Sequence, residues 1–296
     1  MKTGVKATTI RDIENCYNKI AQSEKFHAAL MTHVNMICKE FSSNKMFYKF
    51  IFKNNRFLAS IILTCVYFKK ESPCLNDIKT QCVRTNMISP NTVSSLLLLL
   101  KAGNYISTRK DTSDKRKTHF SITDKGLKSV LALTKTIAVP LDEMGIVNFK
   151  INNFTKQNTQ SFFERYFDIF YHDIHLVNIA EKADIFVNKD SGHMIMTHLY
   201  LYGLNAKNSD EALTIISLAK RCGVSRSHLR NIIFEAKENA LVDYDPASGH
   251  IEILASYNAM YRKYMAYYFS FVLYAAGNFK NQDSPLSRSR MMLSMQ

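Results

Sequence analysis

The chain has 296 residues, 46% of them hydrophobic, which is enough for two ordinary domains and excludes a chain that is disordered throughout. The formal net charge is +14, but residues 1–150 hold 24 basic and 11 acidic side chains while residues 151–296 hold 15 and 14. An excess confined to one half points to a polyanionic partner docking there, more than to a uniformly solvated surface.

The first residues, Met1 to Arg11, contain no apolar stretch of signal-peptide type, and no apolar run reaches membrane-spanning length. A cytoplasmic protein with no membrane partner is expected. Cys16, Cys38, Cys65, Cys74, Cys82 and Cys222 form no CxxC pair and no zinc-finger spacing with histidine, so reduced thiols acting as small core residues are expected.

In chain order, Arg56 to Lys69 reads as an apolar helix, and a short helix, a tight turn at Asn86 and Met87, and a longer helix capped by Ser89 follow. An extended hairpin from Tyr105 to Thr123 comes next, with Phe120 and Ile122 inward, then a long helix from Asp124. The order recurs 136 residues later. Ser89, Val93, Leu96, Leu97, Leu100 and Ile106 fall on Ser225, Leu229, Ile232, Ile233, Ala236 and Val242 without a gap. The same ungapped offset sets Cys82 on Leu218, Val83 on Ala219 and Ile88 on Val224, with Gly223 as the second turn. Gly192 to Asn205 matches Arg56 to Lys69, Asp243 to Ile253 is a shorter hairpin, and a long helix runs from Ser256.

The fold class expected is mainly α with small β-hairpins, an α+β winged helix: two tandem winged helix-turn-helix domains joined by long helices. The first spans 1–150 with its unit centred on 75–123, and the second spans 151–280 with a weaker unit near 209–253. The polar stretch 147–160 divides them, and 281–296 reads as a loose tail.

A helix fits the major groove of duplex DNA, with its first turns reaching base edges and phosphates. The first long helix offers Ser89, Asn91, Thr92, Ser94 and Ser95 there, and the second offers Arg226, Ser227, His228, Arg230 and Asn231. Residues 109–117, RKDTSDKRK, add Arg109, Lys110, Lys115, Arg116 and Lys117 on a hairpin suited to the phosphate backbone or the minor groove. The second hairpin reads DYDPASGHIEI, acidic, so the two copies are not expected to bind DNA equally.

From Ser89 to Gly126 the residues resemble the MarR family of bacterial regulators. TVSSLLLLL at Thr92 to Leu100 looks like that family's recognition helix. Asp114, Arg116, Ile122, Thr123 and Gly126 fall where it places a wing Asp and Arg and a Leu-Thr-x-x-Gly ending. The resemblance implies a transcription regulator without enzymatic activity, Arg116 in the minor groove, and Asp114 holding the wing. It also implies a small-molecule effector in an apolar pocket between the helices. The doubled length is similar to Sar-type fused relatives, in which one chain imitates a dimer; a homodimer is the other arrangement. Leu98 and Leu99 depart from the pattern, since polar residues are usual there, and packing against a neighbouring helix is expected for them.

Two other features compete for a role. On a helix, His172 and His175 would share a face, with Glu164, Asp168 and Asp173 nearby, but there is no third ligand at convincing spacing, so neither a metal nor another cofactor is expected. The tyrosine-rich segment Tyr257 to Tyr274 and the run Phe162 to Tyr171 read as helices buried at an interface rather than as base-stacking surfaces. No nucleophile elbow, phosphate loop or HExxH pattern is present. Rival readings are a plasmid-type replication initiator with two winged helices, a second copy serving as a protein-interaction module, and a metal- or thiol-dependent sensor.

Overall fold

The computed structural model describes residues 2–146, 156–205 and 213–277. The expected division near residue 150 and the tail over 281–296 lie outside these residues.

The described residues are mainly helical, with two small antiparallel two-stranded sheets. Helix α1 (Lys2–Ala21) precedes α2 (Phe26–Ser43), α3 (Lys45–Ile51), α4 (Asn54–Lys69), α5 (Leu75–Arg84) and α6 (Pro90–Ala102). Strands β1 (Ile106–Lys110) and β2 (Thr118–Ile122) lead to α7 (Asp124–Glu143). The second half holds α8 (Lys156–Tyr171), α9 (Leu176–Ile179), α10 (Asp184–Val187), α11 (Gly192–Asn205), α12 (Ile215–Cys222) and α13 (Arg226–Glu238). Strands β3 (Val242–Tyr244) and β4 (Ile251–Ile253) and the long α14 (Ala255–Ala276) complete it.

The repetition is geometric as well as sequential. Helices α6 and α13 begin after serine caps, Ser89 and Ser225, whose hydroxyls accept from the Thr92 and His228 amides at 3.2 and 3.1 Å. Both bury one apolar face: Val93, Leu96, Leu97 and Leu100 in α6, and Leu229, Ile232, Ile233 and Ala236 in α13. Each helix is left through a left-handed residue, Asn104 at φ 58° and Ala240 at φ 54°, before its hairpin begins at buried Ile106 or Val242. The strands pair in the registers Ile106 with Ile122 and Val242 with Ile253. The N-cap residue of each preceding helix adds a single bridge to the hairpin, Cys74 to His119 and Thr214 to His250.

The ungapped offset fails further upstream. Helices α5 and α12 align on those N-caps, so buried Cys82 matches buried Cys222, not Leu218, and Val83 is 47% exposed where Ala219 is buried. The first copy spends Thr85 to Ser89 on its turn, with Asn86 at φ 54°. The second needs only Gly223 to Ser225, because Gly223 takes φ 68° at no steric cost.

Helices of the two halves pack on one another. Helix α2 packs on α7 within the first half, as α8 packs on α14 within the second. Across the halves, α4 meets α8, its counterpart pair α11 and α2 also touch, and α7 meets α14. That exchange of partners is the pattern of an isologous dimer interface. The buried apolar side chains of both halves form one continuous cluster. The aromatic helices fall as their spacing predicts: Tyr257, Tyr261, Tyr264 and Tyr267 of α14 and Phe162, Phe163, Tyr166, Phe167 and Phe170 of α8 are buried, which removes them from any stacking surface. Helix α1 lies along α14, where Tyr17 stacks on Tyr267 at 4.1 Å and the Tyr267 hydroxyl donates to Glu14 at 3.1 Å. Arg165 of α8 donates to the Ala275 and Ala276 carbonyls at 2.7 and 3.0 Å, neutralising the negative end of α14.

No described helix is long and apolar enough to cross a membrane.

Candidate nucleic-acid interface

Outward from the core, α6 and α13 present matching stripes. Asn91, Ser94 and Ser95 are exposed on α6; Arg226, Ser227, Arg230 and Asn231 are exposed on α13. Neither Arg226 nor Arg230 pairs with a carboxylate among the described residues. Two residues expected in this set turn inward. Thr92 is half-buried, its hydroxyl 3.0 Å from that of Ser89. His228 is half-buried, its Nε2 donating to the Asp190 carbonyl at 3.1 Å, so it ties α13 to the start of α11 instead of facing solvent. Leu98 is 71% exposed on the α6 stripe, against the expectation that it packs on a neighbouring helix, whereas Leu99 is half-buried against the core.

The first hairpin is cationic at its tip. Arg109, Lys110, Lys115, Arg116 and Lys117 are all exposed. Lys117 approaches Asp114 at 3.8 Å and Lys110 donates to the Lys115 carbonyl at 3.5 Å, while Arg109, Lys115 and Arg116 pair with no carboxylate among the described residues. Asp114 accepts from the Arg116 amide at 3.1 Å.

The larger organiser of this tip is Asp111, which the sequence reading missed. Its carboxylate accepts from the Ser113 amide at 2.8 Å, the Ser113 hydroxyl at 2.6 Å, the Asp114 amide at 2.8 Å and His119 Nε2 at 2.7 Å. Those donors, Ser113 and His119 foremost, hold its pKa far below the usual carboxylate range. His119 Nδ1 accepts from the Ser72 hydroxyl at 3.1 Å, so the chain Asp111–His119–Ser72 fastens the hairpin to the loop before α5. The D-x-S-D spacing was the available signal, an Asx turn.

The second hairpin repeats the turn with other charges. Asp245 accepts from the Ala247 and Ser248 amides at 2.9 and 3.1 Å, and Gly249 takes φ 71°. Asp243, Asp245 and Glu252 are exposed; Lys237 of α13 pairs with Asp243 at 2.8 Å. A phosphate chain that the first hairpin attracts is repelled here.

The histidine pair does not form a ligand set. Helix α8 ends at Tyr171, Asp173 takes φ 55°, and His175 sits buried at the start of α9, so His172 and His175 share no helical face. Among the described residues no group of three or more His, Cys, Asp or Glu is placed to hold a metal. The cysteines are free thiols; burial pushes Cys38 up to about 11 and Cys82 and Cys222 up to about 12, away from thiolate chemistry at neutral pH.

An apolar cavity lies between α4, α7, α8 and α14, lined by Phe57, Ile61, Leu133, Phe162, Tyr166 and Val272 among others. Comparison of the chain with family models, with curated proteins and with solved structures gives no match.

Proposed function

We infer that the chain is a sequence-specific duplex-DNA-binding protein that regulates transcription. Each half supplies a winged helix-turn-helix unit, and one chain takes the place of a dimer. The observation that carries this reading is the first unit. A helix with an outward stripe of short hydrogen-bonding side chains stands beside a hairpin whose Arg109, Lys115 and Arg116 have no ion pair among the described residues. Such a pair of elements fits a groove and its flanking phosphates together. The equivalent stripe on α13 and the exchanged helix packing across the halves support two half-sites per chain. The cavity between α4, α7, α8 and α14 supports an apolar effector, which would act on the spacing of the halves. The resemblance to MarR-type regulators rests on Ser89 to Gly126 alone.

Selection of duplexes from a random pool, with stoichiometry and salt dependence measured on the product, tests the reading. The expected result is one chain on a site with two related halves, with affinity falling steeply as salt rises. Retention of no duplex at low salt removes the reading.

A second reading is favoured by the acidic second hairpin: the first unit alone holds DNA and the second holds a protein. Footprinting then protects one half-site per chain, not two.

A further inference from the structure

Leu98 is 71% and Phe234 40% exposed, and they occupy the same position of α6 and α13, 136 residues apart. Each continues the outward stripe at helical spacing, Leu98 after Asn91, Ser94 and Ser95, and Phe234 after Ser227, Arg230 and Asn231. Leu98 lies outside the core, and Phe234 touches it only at the Tyr244 ring of the second hairpin. The core is filled from the other face by Leu96, Leu97 and Leu100 and by Ile232, Ile233 and Ala236. The two helices share few identities, yet both place a large apolar group here.

A large contiguous apolar patch is one mark of a protein-docking face. On these stripes each apolar side chain stands singly among hydroxyl, amide and guanidinium groups. That mixture matches the floor of the major groove, where polar base edges are interrupted by the C5-methyl of thymine. Phe234 is further held edge-on to Tyr244, ring centroids 5.4 Å apart and planes at 88°, which fixes the ring before any ligand arrives.

We propose that Leu98 and Phe234 are specificity-determining side chains that contact thymine methyl groups, one in each half of a pseudo-symmetric duplex site. This rests on the duplex-binding reading above. The contact is apolar on both sides, so it adds discrimination without adding a phosphate contact.

The test uses the full chain and a duplex selected by it, with each thymine replaced in turn by deoxyuridine, which removes only the methyl. The expected result is one thymine in each half whose replacement weakens binding about three- to five-fold. Leu98→Ala loses that sensitivity in one half and keeps it in the other, and Phe234→Ala does the reverse. Both keep the salt slope of the parent, since no charge changes. Tight parental binding that is indifferent to every replacement overturns the proposal, as does sensitivity that persists in both halves in either variant. Failure of the parent chain to retain any duplex is a different result, seen without the variants; it removes the duplex reading and this proposal with it.

Discussion

The guanidinium of Arg56, at the start of α4, lies 3.3 Å from the carboxylate of Asp190, just before α11, so an ion pair joins the two halves. Arg56 also sits 4.0 Å above the Phe50 ring. Asp190 is 45% exposed and Arg56 25%, so water screens the pair and its own worth is ~0.5 kcal/mol. Asp190→Ala is therefore expected to cost about 0.5 kcal/mol. Arg56→Ala, which also removes the ring contact, should cost about 1 to 1.5 kcal/mol. Asp190 is also 3.7 Å from Lys53, and Arg56 also donates to the Phe50 carbonyl at 3.4 Å, so urea unfolding of the two variants compares the two sets of contacts; a loss from Arg56→Ala no larger than that from Asp190→Ala would overturn the larger role given to Arg56.

Replacing Arg116 and Lys117 by Ala is expected to lower the slope of log affinity against log salt by about 2, roughly one for each phosphate contact released. Both side chains are exposed, so the thermal midpoint should stay within a degree or so of the parent. Salt titrations of both proteins on one duplex give the answer, and an unchanged slope removes the hairpin from the interface.

Asn104 and Ala240 hold the same left-handed turn, at φ 58° and 54°. Asn tolerates that conformation, while Ala pays about 1 kcal/mol for its Cβ. Ala240→Asn or Ala240→Gly should stabilise the chain by ~0.5–1 kcal/mol, and Asn104→Ala should destabilise it by a similar amount. Chemical denaturation of the three variants checks whether the gain and the loss mirror each other.

His33 is wholly buried; its Nδ1 donates to the Thr136 carbonyl at 2.7 Å, and its Nε2 has no partner among the described residues. Burial lowers its pKa from 6.5 to about 4. As pH falls through 6.5 the unfolded chain binds a proton that the folded chain refuses until about pH 4, so stability drops across that window and is flat above it. The drop from this residue is at most ~1.4 kcal/mol per pH unit. His33→Gln should cost stability at pH 7.5 but show a shallower fall towards pH 4.5. Burial lowers His193 and His198 in the same direction, to about 3 and about 4, so the slope is reduced and not abolished. Melting temperatures across that range decide it, and a variant with the parental slope would clear His33 of the effect.

Helices α6 and α13 were legible in the sequence because three signals agree there: a serine cap, an apolar face of helical period and a hairpin at a fixed distance. The alignment of α5 with α12 was not, because Val83 is apolar in type yet 47% exposed, and an apolar letter carries no sign of which side of a short helix it occupies. The end of α8 was missed because no Gly or Pro marks it; Asp173 makes the turn in a conformation that aspartate adopts without advertising it. The turn at Asp111 follows a local D-x-S-D pattern, but its tie to His119, eight residues on and brought back by strand pairing, shows in no local pattern. The inward turn of His228 depends on Asp190, 38 residues away.

The packing of helices across the halves has a consequence for how such a molecule can vary. In an assembly of identical subunits every substitution is made twice and the two faces change together. Here one backbone carries both faces, so a cationic hairpin and an acidic one coexist on a common frame. The partnership between the halves is also indifferent to dilution, because the tether sets their local concentration instead of the solution.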